Sequence, residues 1–182
     1  MTAQAMETII IGGKEYSMAS EPLADYLANL KIKPALFAPS TACWRGYYGT
    51  WEIKDKMLYL IDLECYTANK EERKYWKIGM DFIFPNQTEV FAHWFSGEIR
   101  IPQGDMLNYV HGGYLSKYEV DIFLEFQNGH LIGKRGVNNI IEEAKRIINE
   151  GGKSAIKAEP ESISKSLFAK LKRIFKKKGN IK

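Results

Sequence analysis

Between positions 93 and 118 the chain gathers two of its three histidines with other side chains that could move a proton or hold a metal. His93, Trp94, Glu98, His111, Tyr114 and Tyr118 occur there, with Gly97, Gly104, Gly112 and Gly113 between them. A histidine beside a carboxylate in a partly dry cleft can work as a general acid–base pair. That chemistry would be hydrolase-like, and its candidates are His93, Glu98, His111 and Tyr114. His93 and His111 with Glu98 also carry the donor types of a zinc site. The spacing matches no HExxH or comparable motif, so no catalytic residue and no metal site is assigned. The simpler expectation is that His93 packs beside Phe91 and Phe95, and that His111, Gly112, Gly113 and Tyr114 form a loop needing positive φ.

Glu119, Asp121 and Glu125 alternate along one apparent strand. Carboxylates at that spacing can bind a divalent ion, but such a row more often forms the solvated outer face of a sheet. The glycine-containing runs do not form a phosphate loop, and neither a GxSxG nor a paired Cys–His signature occurs. No cofactor is implied.

The last part of the chain suggests a different chemistry. In SLFAKLKRIFKKK, positions 166–178, apolar and basic residues are interleaved. On a helical wheel of about 100° per residue, Ile163, Leu167, Phe168, Leu171, Ile174 and Phe175 fall within about 140°. Lys165, Lys170, Lys172, Arg173, Lys176 and Lys177 fill the remaining arc. Such a helix is marginal alone in water. Burying its apolar stripe is worth about 1.5–3 kcal/mol for each large side chain. An anionic membrane surface or a protein surface would satisfy both faces; nucleic acid would use the lysines but not the stripe.

Charge supports the division. From residue 151 onward there are ten Lys or Arg against two Glu, a net +8, whereas residues 1–150 hold sixteen basic and twenty acidic residues, a net −4. The expected organisation is a β-rich globular domain over 1–150, a small, polar linker over 151–161, and a basic amphipathic helix over 162–182.

The elements that must position these residues are mostly strands, in keeping with ten Tyr, nine Phe and four Trp. Gly12–Gly13 reads as a hairpin turn between two short strands. Ser20 is placed to cap a short helix in which Leu23, Leu27 and Leu30 share a side. YYGTWEI and KMLYLIDLEC read as a hairpin. A three-residue connection, Lys54–Asp55–Lys56, would keep Met57, Tyr59, Ile61, Leu63 and Cys65 on one face, opposite Trp51 and Ile53. Residues 67–77 read as a charged connection. GMDFIFP and EVFAHWF read as strands, and PQGD as the break after EIRI. YEVDIFLEF alternates cleanly, and Asn128–Gly129 is the strongest hairpin signal. In 139–150, Ile140, Ile141, Ala144, Ile147 and Ile148 share a helical face that should lie on the sheet. Asn138 or Asn139 can cap that helix, and Glu142 and Arg146 are spaced i, i+4. The expected fold is α+β: a curled, mostly antiparallel sheet or partial barrel of about seven or eight strands, with a short N-terminal helix, a helix near 139–150 and the appended C-terminal helix.

No run approaches the roughly 20 apolar residues of a membrane span, and MTAQAMETIIIGGKEY lacks the pattern of a secretory leader. Cys43 and Cys65 fit two buried free thiols better than a disulfide. The expected location is cytoplasmic, with peripheral attachment at the inner face of the membrane as the extension the tail suggests.

The run AHWFSGEIRIPQGDMLNYVHGGYLSKYEVDIFLEF, with the earlier GYYGTWEI, resembles a group of small uncharacterised bacterial proteins. In that group a WFSG-x-IRIP-x-G segment precedes a Tyr-rich loop and a strand. The resemblance spans about residues 44–136 and implies no activity. The function expected is therefore a non-catalytic module that recognises a protein partner and docks its tail on that partner or on an anionic membrane. Acid–base chemistry at His93 and His111 is the alternative, and nucleic-acid binding through the tail the third. An oligomer is compatible with all three.

Overall fold

A computed structural model describes residues 2–69 and 74–151. The linker and basic helix expected beyond position 151 lie outside the described residues. What is described is α+β: nine strands in one curled, unclosed sheet, with two helices. In chain order the strands are β1 (Glu7–Ile11), β2 (Lys14–Met18), β3 (Tyr47–Lys54), β4 (Met57–Asn69), β5 (Lys74–Ile78), β6 (Val90–Phe91), β7 (Gly97–Asn108), β8 (Lys117–Gln127) and β9 (His130–Asn138). Across the sheet they run β2-β1-β3-β4-β9-β8-β7, with β5 and β6 both paired to β4. No helix among the described residues is long and apolar enough to cross a membrane.

Strands β1 (Glu7–Ile11) and β2 (Lys14–Met18) form the expected hairpin, with Gly12 and Gly13 at φ +57° and +77°. Helix α1 (Leu23–Asn29) follows and buries Leu23. Ser20 does not cap it; its hydroxyl instead accepts from the main-chain N–H of Arg100 at 3.0 Å. The sheet drew that hydroxyl away from the helix start.

Strands β3 (Tyr47–Lys54) and β4 (Met57–Asn69) correct the expected register. The connection is the two-residue turn Asp55–Lys56, with φ +49° and +62°, and it pairs Lys54 with Met57 and Ile53 with Leu58. That mirror-image turn matches the strand twist. A bulge between the Thr50–Asp62 and Trp51–Leu60 pairs then inserts Ile61. Leu58 and Leu60 therefore face the core before the bulge, and Leu63 and Cys65 after it. The sequence pattern is the sum of two phases, which a single uninterrupted strand with an odd loop imitates.

β4 and β5 (Lys74–Ile78) replace much of the expected charged connection. GMDFIFP is not a strand: Met80–Phe82 form a 3-10 turn. EVFAHWF contributes only β6 (Val90–Phe91). Both segments fill the space where β4 parts from its neighbour, and their aromatic rings pack on one another rather than on a pleat, as Phe84 on Trp94 at 5.9 Å.

PQGD does not end its strand. β7 runs Gly97–Asn108 straight through it, with register shifts between Gln103 and Asn108 that absorb the extra residues. β8 (Lys117–Gln127) and β9 (His130–Asn138) form the expected hairpin around Asn128–Gly129, φ +50° and +78°. α2 (Asn139–Gly151) begins with the Asn138 side chain accepting from the Ile141 N–H at 3.1 Å, and it buries Ala144. Its side-chain ion pairs run from Glu142 to Lys145 and from Glu143 to Arg146. The core is filled by Ile9, Met18, Trp51, Leu58, Leu60, Ile99, Ile101, Leu124 and Phe126, and Cys43 and Cys65 are both free and buried.

The curl brings the two ends of the strand order together. Ala19 N–H donates to the Arg100 carbonyl at 2.8 Å, across the gap between β2 and β7.

Candidate functional site

The residue the fold treats most unusually is Glu7. As the first residue of β1 it shares the inward face with Ile9, so the alternation that builds the core also buries a carboxylate. Two groups compensate. Trp51 Nε1 donates to Glu7 Oε2 at 2.6 Å. Arg45 Nε lies 3.0 Å from Glu7 Oε1, close enough to pair as an ion but off line for a hydrogen bond. Gly49 makes the space: a Cβ there would stand 2.6 Å from the Glu7 carboxylate and 2.7 Å from the indole nitrogen. Burial nevertheless wins, raising the Glu7 pKa to about 7 against the Trp51 hydrogen bond and the Arg45 charge.

Arg45 carries the network outward. Its Nη1 donates to the Tyr114 hydroxyl at 2.9 Å and its Nη2 to the Ala5 carbonyl at 3.0 Å. Its guanidinium lies 5.5 Å from the ring centre of Tyr47 and 5.1 Å from that of Tyr48. The Tyr114 hydroxyl in turn donates to Glu21 Oε1 at 2.9 Å. Burial holds the phenols of Tyr47 and Tyr114 far above their ordinary range. Tyr114 is thus a neutral hydrogen-bonding strut, unsuited to acting as a base.

A second arginine holds the same loop. Arg100 on β7 donates from Nη1 to the Tyr114 carbonyl at 2.6 Å, from Nη2 to the Ser116 carbonyl at 2.8 Å, and from Nε to Asp121 Oδ1 at 2.7 Å. Asn139, at the start of α2, donates to Asp121 Oδ2 at 2.8 Å. Asp121 was expected on a solvated face and is buried instead, because α2 lies over that part of β8.

Two arginines therefore fix the loop 109–116, one through a side chain and one through main-chain carbonyls. The N-terminal segment lies against the same loop: Gln4 N–H donates to the Gly113 carbonyl at 2.9 Å. A cleft of about 400 Å³ opens beside it, lined by Ala3, Gln4, Met6, Ser17, Met106, Tyr109, Gly113, Tyr114, Ser116 and Tyr118. On and beside its rim Met106, Tyr109 and Leu115 are 43%, 57% and 68% exposed. Exposed Trp44 adjoins it through its main-chain N–H, which donates to Gln4 Oε1 at 3.0 Å.

The residues singled out from sequence go to separate places. His93 is exposed, with Nδ1 3.3 Å from the Phe91 carbonyl and its ring against Phe91 and Trp94. Glu98 is held by Arg135 through contacts of 2.9 and 2.8 Å. His111 meets the Tyr109 hydroxyl at 3.1 Å on the exposed loop. Of that group, Gly113, Tyr114 and Tyr118 line the cleft. Among the described residues, no group of three His, Cys, Asp or Glu side chains is placed to hold a metal ion. Sequence reasoning missed Glu7, Arg45 and Arg100, and it placed Asp121 on the wrong kind of face. The available signal was Glu7 itself, a carboxylate in phase with the apolar residues Ile9 and Ile11.

No family model matches the chain, and neither does any curated protein or solved structure.

Proposed function

We propose that this chain is a recognition module for a protein partner, and that the partner contacts the end of the sheet formed by the loop 109–116. The observation that carries the reading is the exposed group Met106, Tyr109 and Leu115 beside a cleft whose wall is pinned by two arginines. Apolar and aromatic side chains on a preorganised surface lose little conformational freedom on association, and such residues supply most of the energy at interface centres. The cleft's polar groups largely serve the fold: the Tyr114 hydroxyl is held by Arg45 and Glu21, and the Ser116 hydroxyl accepts from the Val110 N–H. What the cleft offers an incoming group is mainly ring faces and thioethers.

The reading extends to the tail. The sequence of residues 162–182, with Ile163, Leu167, Phe168, Leu171, Ile174 and Phe175 opposite its basic residues, supports docking on an anionic membrane or on the same partner.

The test is photo-crosslinking from position 115 in the native host, with a probe at Lys134 as control. A single saturable protein adduct is expected at 115 alone. The identified protein, purified, should bind the wild-type chain, and Tyr109→Ala should weaken that binding at least tenfold. Equal adducts from both positions, or unchanged affinity in Tyr109→Ala, would refute the reading.

A further inference from the structure

The sheet fails to close at one place, and the pattern of its hydrogen bonds shows what that place can accept. In a two-residue hairpin the residues flanking the turn exchange main-chain hydrogen bonds, and the bonded pairs then alternate. Lys14 flanks the β1–β2 turn opposite Ile11, so Tyr16 and Met18 are bonded to β1, while Glu15 and Ser17 turn their main-chain groups away from it. Ala19 obeys the same alternation, and its N–H is the one that reaches Arg100 on β7. On β7 the outward positions follow Arg100 by twos, and the next of them is Pro102, which has no N–H to give. The Pro102 carbonyl accepts instead from the Gln103 side chain at 2.8 Å, and the ladder that Ala19 begins stops after one rung. Beyond it β7 bulges, and the cleft opens between Ser17 and Met106.

We propose that β2 accepts an extended segment of a protein partner as an added strand at this seam, with one apolar side chain of that segment entering the cleft beside Met106 and Tyr118. The proposal deepens the protein-recognition reading and rests on it. Edge main-chain groups are matched best by another extended main chain, which supplies affinity, while a side pocket supplies selectivity. A second copy of this chain fits less well. The free edge offers outward groups only at Glu15 and Ser17, about 10 Å of strand. Pairing two such edges falls well short of the 1,200–2,000 Å² or so that stable interfaces bury. A partner segment that also fills the cleft adds side-chain burial that self-pairing of two edges lacks.

The experiment selects a displayed library of random nine-residue segments on the full-length chain and measures the affinity of the best synthetic peptide by fluorescence anisotropy. Ser17→Pro removes one outward N–H without touching the β1 ladder and should weaken binding at least tenfold. Ser17→Ala should stay within about twofold. Two peptides N-methylated on alternate residues provide a readout independent of the folding of Ser17→Pro. Methylation on the edge facing β2 should abolish binding, and methylation on the other edge should spare it. Amide exchange at Ser17 should slow in the complex. Failure to select any binder overturns the proposal, as do equal effects of the two methylation patterns. A chain that sediments as a dimer and becomes monomeric in Ser17→Pro would assign the seam to a second copy and also overturn it. If a partner is still captured at position 115 while these peptide tests fail, protein recognition stands and only strand addition is lost.

Discussion

Glu7 is the residue on which the charged interior turns, and its titration is measurable. Its side chain has no exposed surface, and burial places its pKa near 7, against 4.5 for an ordinary glutamate. Between those values the folded chain keeps a proton that the unfolded chain has released. The associated stability is therefore fully present below about pH 4.5 and is lost as pH rises through 7. The full swing is on the order of 3 kcal/mol. Glu7→Gln keeps an acceptor for the Trp51 N–H and has no proton to lose. Urea unfolding at pH 5, 6, 7 and 8 should show wild type losing stability relative to Glu7→Gln with rising pH; a difference that stays flat contradicts the assignment. The residue was legible as an anomaly, since it stands in phase with Ile9 and Ile11. Its partner Arg45 lies 38 positions further on, in a loop with no periodicity to read.

At the scale of elements, turns and bulges decide which side chains face inward. Asp55 and Lys56 both adopt the left-handed conformation, which costs a non-glycine residue about 1–2 kcal/mol, whereas glycine's extra unfolded-state freedom costs about 0.5–1 kcal/mol. Lys56→Gly should therefore stabilise the protein by roughly 0.5 kcal/mol, read as a higher urea midpoint. Destabilisation would show that the Lys56 side chain contributes more than its backbone costs. The hairpins at Gly12–Gly13 and Asn128–Gly129 were legible because glycine or asparagine sits where positive φ is needed. The Asp55–Lys56 turn was not, because lysine gives no such signal and the bulge at Ile61 hides the change of phase. Arg100 was hidden for a similar reason. Read alone it is an outward strand residue, and only α2 lying over β8 encloses its partner Asp121.

At the scale of the whole molecule, an acidic body precedes a strongly basic end. Each basic residue near an anionic bilayer is worth about 1 kcal/mol, so the full-length chain should co-sediment with anionic vesicles and a chain ending at Gly151 should not. If both remain in the supernatant, the membrane branch is finished and the tail's apolar stripe belongs to a protein. The sequence by itself determined the strand-rich composition, the α+β class, two of the hairpins, the last described helix with an asparagine cap at 138 or 139, and the division of charge. Each of these is local, written in alternation, in helical period or in residues that tolerate particular dihedrals. Only the tertiary structure decided that His93, Glu98 and His111 go to different neighbours, that Tyr114 joins Glu21 to Arg45, and that the sheet stops short of closing beyond Arg100. Those outcomes depend on how the sheet curls, and curl is set by the twist and bulges accumulated over nine strands rather than by any one segment.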